Sequence, residues 1–284
     1  MLARTPLSAF YGVQTNSGAT PSATPGTAVT PGASGAEGSW TSLITATSRE
    51  SSWVYLRVAD GATASASKQH LLDLGIDPTG GTSYTPLFED LVCGCSAPLT
   101  VGAGFEFLFP LRIPSGARVG VRIQGLAATA GSVRVDLRLY GNANAPPFLP
   151  TAQYVERIGT ITGSVGVSFT PGNAADGSWT LLGATTRPCW WWQLGYSIDN
   201  GTITAEYTWI ELGYGDGTAG GTTSILRLLH GGTTNEQILV TQNGNLSLAE
   251  AFAQVPAGTN IYVRGRCNNA PDTGYHAVAL GFGG

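Results

Sequence analysis

Three consecutive tryptophans, Trp190, Trp191 and Trp192, are the densest concentration of binding chemistry in this chain. Aromatic rings offer flat apolar faces on which a sugar or a partner side chain can stack, and such rings often anchor interfaces. Trp209 and Tyr214 follow within a short stretch. Trp190, Trp191, Trp209 and Tyr214 are therefore candidate contacts for a glycan or a partner protein. In an extended strand Trp190 and Trp192 share one face and Trp191 takes the other. At least one large ring then stands outside its own core, unless it packs between sheets or between domains. Trp192 lies near the repeat equivalent of Trp53 and suits a core position.

Other reactive residue types are sparse. Asp73 with Asp77, and Glu206 with Glu211, are the acid pairs a glycosidase could bring together, since its carboxyls converge in space rather than in sequence. The chain holds only 18 Asp and Glu, most beside glycine or at strand ends where they cap turns. No Gly-x-Ser-x-Gly elbow occurs. His70, His230 and His276 lack a second histidine at metal-binding spacing. Cys93 and Cys95 lack the two-residue spacer common in zinc and redox sites, so with Cys189 and Cys267 they are expected as free thiols. Asp216, among the glycines from Gly213 to Gly221, has too few oxygen-bearing neighbours for a calcium loop. No catalytic residue, cofactor site or metal site is assigned, and the chain is read as not an enzyme.

What must position these residues is a duplicated unit. Gly38, Ser39, Trp40 and Thr41 return as Gly177, Ser178, Trp179 and Thr180. Thr30-Pro31-Gly32 returns as Thr170-Pro171-Gly172, Leu74-Gly75 as Leu212-Gly213, and Gly80-Gly81-Thr82 as Gly220-Gly221-Thr222. Ile113, Pro114 and Gly116 return as Val255, Pro256 and Gly258, and Val121-Arg122 as Val263-Arg264. The offset drifts only from 138 to 142, which small loop insertions explain. A duplicated domain multiplies a surface or an assembly contact, whereas a catalytic site needs one copy. The first expectation is thus a structural or binding protein.

Within each copy the hydrophobic period is two. Val119, Val121 and Ile123 alternate with Arg118, Arg122 and Gln124, and Val133, Val135, Leu137 and Leu139 alternate with Arg134, Asp136 and Arg138. Val54, Leu56 and Val58 oppose Trp53, Tyr55 and Arg57. Such half-buried strands pack as antiparallel sheets face to face. Turn signals such as Asp60-Gly61, Asn200-Gly201 and Asn243-Gly244 separate them at short intervals. Leu246 to Ala253, with Ser247 and Glu250 at capping-box spacing, predicts one or two helical turns.

Forty glycines, sixteen prolines and only 11% charged residues fit a turn-rich all-β chain of 284 residues. The predicted fold is two tandem jelly-roll-like (Greek-key) β-sandwich domains with an extended N-terminal arm. The arm and linker span 1–28, the first sandwich 29–145, a Pro-rich linker 146–152 and the second sandwich 153–284. Leu2, Leu7, Phe10 and Tyr11 make the first eleven residues apolar enough for a docking peptide, followed by a Thr, Ser, Pro and Gly spacer. A net charge of −4 without a basic run argues against nucleic acid. No apolar run reaches the roughly 20 residues that a membrane helix requires. The start resembles no signal peptide, which predicts synthesis in the cytoplasm.

The run from Phe109 through Pro110, Leu111, Arg112, Ile113, Pro114, Ser115, Gly116, Ala117 and Arg118 to Val119, with Leu72 to Asp77 upstream, resembles β-sandwich modules of tailed-bacteriophage virion proteins. The second copy carries a looser version in Phe252, Val255, Pro256, Ala257, Gly258, Thr259, Asn260 and Ile261. The resemblance implies a virion part, assembled in the host cytoplasm and docked by its arm as a short head or tail fibre or decoration. It implies portal, tail or capsid proteins as partners, homo-oligomers such as a trimer, and no catalytic residues. The tryptophans keep open the other reading, a module that binds a bacterial surface polysaccharide.

Overall fold

The structure is a computed structural model and describes residues 13–16, 26–33, 35–60, 70–93, 104–125, 131–141, 151–159, 166–198, 206–232, 240–242, 253–268 and 275–284. These residues form strands and turns without a helix. The predicted helical turns at 246–253 fall almost wholly outside them.

Residues up to Tyr140 form β1 (Val13–Thr15), β2 (Thr27–Val29), β3 (Thr41–Ile44), β4 (Trp53–Asp60), β5 (His70–Asp77), β6 (Thr85–Cys93), β7 (Gly104–Phe109), β8 (Arg118–Gly125) and β9 (Val133–Tyr140). One sheet runs β1/β2, β9, β4, β7 and the other β3, β8, β5, β6. From β2 onward the chain crosses between sheets at every connection except the β5–β6 hairpin. That order, with antiparallel pairing throughout, is a jelly roll. The predicted alternation sets the core: Val54, Leu56, Val58, Phe107 and Phe109 face Leu72, Leu74, Val119, Val121 and Ile123.

The second half repeats the order. It comprises β10 (Tyr154–Ile158), β11 (Val167–Phe169), β12 (Gly172–Asn173), β13 (Thr180–Ala184), β14 (Trp191–Ile198), β15 (Glu206–Gly215), β16 (Thr222–Gly232), β17 (Val240–Gln242), β18 (Asn260–Cys267) and β19 (Tyr275–Gly283). Its sheets run β10/β11, β19, β14, β17 and β13, β18, β15, β16, with β12 a short parallel addition to β18. The chain is all-β, two jelly rolls in tandem.

Two stretches within the predicted arm belong to the first sandwich, which corrects its extent. β1 and β2 both line the edge of β9, and Asn16 copies a backbone pair by donating to the Val135 carbonyl and accepting from the Leu137 amide. Main-chain hydrogen bonds hold these edge strands, so a Thr-rich, polar sequence suffices there. Leu2, Leu7, Phe10 and Tyr11 lie outside the described residues.

The proline-glycine turns close on a partner far along the chain. Gly116 and Gly258 hold φ of 81° and 77°, a left-handed conformation that glycine adopts freely. Thr47 donates its hydroxyl to the Pro114 carbonyl (2.6 Å) and accepts the Ala117 amide (3.1 Å). Thr185 does the same with Pro256 (2.7 Å) and Thr259 (3.0 Å).

The two sandwiches share apolar contacts. In the β10–β19–β14–β17 sheet, β14 and β19 bury side chains on both faces: Trp192, Leu194 and Tyr196 fill its own core, while Trp191, Leu280 and Phe282 enter the core of the first sandwich. Phe282 stacks on Phe109 at 5.7 Å and Trp191 meets Trp53 edge-on at 6.2 Å. A Cβ on Gly195 would come within 3.0 Å of Val92, so glycine allows this approach. Arg157 of β10 pairs with Asp90 of β6, a residue at φ 62° whose amide donates to Asp73 at 2.8 Å. Ala152, at the end of the predicted linker, is buried in the first core and bridges Leu111.

Candidate binding face

On β15, Ile210 and Leu212 point into the second core, so alternation turns Trp209 and Glu211 outward. The pairing register places Trp209 between Leu229 of β16 and Arg266 of β18. Trp209 is 43% exposed and Leu229 45%, high values for large apolar side chains. Beside the indole lies an open cleft of about 370 Å³ lined by Ala174, Trp209, Arg266, Cys267 and Asn268. Among the described residues Arg266 makes no ion pair.

The other aromatic candidates lie elsewhere. Trp191, at 5% exposure, is buried between the sandwiches, the packing between domains that the sequence left open, and so is not available as a glycan contact. Trp190 is partly buried against the first core and Tyr214 against the second. The bridges Ser51 to Ile113 and Cys189 to Val255 are equivalent, and they make Trp191, not Trp192, the counterpart of Trp53. The strand pattern predicted a ring outside its own core. It left open whether that ring meets solvent, a sheet or a second domain.

Equivalent pairings give Leu71, Val92 and Gln124 in the first sandwich the places of Trp209, Leu229 and Arg266 in the second. There the row is closed: Leu71 and Val92 are each 1% exposed, Val92 against Gly195 and Val278. The face that carries the packing in the first sandwich is open in the second.

One row along, each sandwich holds an ionic cluster under a tryptophan. Arg122 lies 4.8 Å from the Trp40 ring and Arg264 lies 4.3 Å from that of Trp179. Arg122 pairs with Asp73 (2.7 Å), Glu89 (3.5 Å) and Glu37. Arg264 pairs with Glu211 (2.7 Å) and Asp176 (3.2 Å), and Arg227, facing β15 from β16, also reaches Glu211 (2.8 Å). Among the described residues three carboxylates thus meet one guanidinium in the first copy, and two meet two in the second. Burial pushes the Asp73 carboxyl up despite Arg122, and burial followed by the Asp73 charge raises Glu37. Burial would raise Glu211 as well, but hydrogen bonds from Arg227 and Arg264 outweigh it and hold the carboxyl below its ordinary value.

Asp77 and Asp216 are occupied in turns. Asp77 accepts from the Thr79 amide (2.9 Å) and hydroxyl (2.6 Å) and from the Ser83 amide (2.9 Å). Asp216 takes the Thr218 amide (2.8 Å) and hydroxyl (2.7 Å) in the repeat-equivalent loop. Both are held below their ordinary values, by the Thr79 hydroxyl first and the Thr218 amide first, respectively. The Glu206 side chain falls outside the described residues. His70 is buried and donates to the Gly131 carbonyl at 2.9 Å. Cys93, Cys189 and Cys267 are buried and in no disulfide, and the Cys267 sulfur meets the Thr208 hydroxyl at 3.3 Å. Among the described residues no three His, Cys, Asp or Glu converge as a metal-holding set.

No known protein family matches the chain, and no curated protein matches it. Among solved structures it is similar to PNGF-II at 10% identity and a TM-score of 0.35, over 94% of this chain and 63% of that one. It thus spans less than two thirds of that protein. It is also similar to the tandem CBM22 domains of Paenibacillus barcinonensis Xyn10C, at 11% identity and a TM-score of 0.25, covering 94% and 93% of the two chains. A third is Broad Bean Stain Virus, at 9% identity and a TM-score of 0.30, covering 82% and 76%. The jelly-roll assignment rests on strand order, not on these values.

Proposed function

We propose that the chain is a non-enzymatic structural protein of a tailed-phage virion, a short head or tail fibre or a decoration. It docks through its N-terminal arm, works as a homo-oligomer, and is assembled in the host cytoplasm. The observation that carries this reading is the apolar contact between the sandwiches. Trp191, Leu280 and Phe282 of one jelly roll complete the core of the other, which makes the pair a stiff spacer rather than two modules on a tether. Stiffness of this kind suits a part that transmits position. It has no evident use in a pair of independent binding modules.

The arm reading now rests on residues 1–11, because β1 begins at Val13 and is part of the sheet. The test is a cryo-electron microscopy reconstruction of purified particles of the phage encoding the chain. Density for both jelly rolls at a symmetric site, lost when residues 1–11 are deleted, is the expected result. Particles without this chain would overturn the proposal.

A further inference from the structure

We propose that the cleft beside Trp209 is a binding site for an acidic saccharide, with the sugar ring on the indole and its carboxylate on Arg266. This goes beyond the structural role and does not depend on it. Trp209 has no place in either core, and in the first sandwich its position is filled by Leu71. The fold therefore does not need a tryptophan there. An indole held open on a rigid sheet contributes to stability only what its partial burial gives, so its exposed face is available for a ligand.

Three observations narrow the ligand. The cleft of about 370 Å³ is open to solvent rather than enclosed, which suits a polymer that stays largely hydrated better than a ligand needing full enclosure. A sugar ring has an apolar C–H face for the indole and hydroxyls for Asn268 at the rim. Charge decides between neutral and acidic sugars. In the next row Glu211 and Asp176 are met by Arg227 and Arg264, so among the described residues the acids of that row have their own cations, and Arg266 adds a cation at the cleft. Arg266 pairs with no carboxylate among the described residues, and a guanidinium can take one from a ligand in two parallel hydrogen bonds. Leu229, cross-strand from Trp209, extends the apolar floor.

The test uses the full chain on a panel of bacterial glycans bearing uronate, sialate or pyruvyl groups, with their neutral counterparts, read by calorimetry. Sedimentation of the same samples reports self-association. Expected is binding of one or more acidic glycans with Kd below about 1 mM. Trp209→Ala should abolish it, and Arg266→Gln should weaken it about tenfold while leaving a neutral counterpart unchanged. Both positions are exposed, and unchanged thermal melts confirm that the variants fold. Absence of binding across the panel overturns the proposal. So does binding that survives Trp209→Ala, or a wild-type dimer that Trp209→Ala dissociates, which would assign the face to a second copy of the chain.

Discussion

Thr47 and Thr185 show how one side chain can hold a turn that sequence alone marks only in part. Each buried hydroxyl serves a proline carbonyl and an amide across the proline-glycine turn, about 70 residues away in sequence. Replacing either with valine keeps the shape and removes the side-chain partner of both backbone groups. The cost is about 1–3 kcal/mol for each site, measured as a shift in the denaturant midpoint. Thr→Ser at the same sites should recover most of it. The prolines and glycines were legible as a repeated motif because they stand together in the chain. The threonines were not, because nothing local distinguishes a capping threonine from the many others in this composition. Trp191 and Trp209 were both legible as aromatic residues, but alternation reports which face a ring takes, not what covers that face.

At the level of strands, the two sandwiches carry the same row with different charge, and acid should separate them. An acid whose folded pKa is raised binds its proton more tightly in the folded state. The stability of the Glu37–Asp73–Arg122 row therefore falls as pH rises from the unfolded values of 4.5 and 3.8 toward the raised folded ones. Glu211 behaves oppositely. Its contribution stands above 4.5 and is lost as pH falls through its lowered folded value. Hydrogen exchange, expressed as protection factors, should show β5 and β8 gaining protection between neutral pH and 4.5. β15 and β18 should hold steady over that range and lose protection below it. Glu37→Gln should flatten the response of the first sandwich, and an unchanged profile in that variant would remove Glu37 as the source. The strands themselves were plain in the sequence, since period-two alternation over Val119–Ile123 or Val133–Leu139 has one structural solution. The short strands β1 and β2 were not, because their pairing is carried by main chain and by Asn16 rather than by apolar side chains.

Across the whole molecule, the duplication was visible in the sequence, but the way its halves meet was not. The contact is written in residues that belong by position to one repeat and by burial to the other, among them Leu280 and Phe282. Removing Phe282, fully buried and stacked on Phe109, should cost about 3–5 kcal/mol, and its effect should fall on both repeats. Calorimetry of Phe282→Ala should show a single wild-type transition split in two, with exchange accelerated in β6 and β7. A single transition shifted as a whole would mean that the halves remain one cooperative unit without this ring. The arrangement also imposes an order on biosynthesis. A ribosome finishes β9 roughly 140 residues before it reaches Phe282, an interval of about 7–28 s at ordinary elongation rates. For that time the first jelly roll has all its strands yet lacks the rings that close its flank, so the nascent chain passes through a stage of exposed phenylalanines that ends only with its last strand.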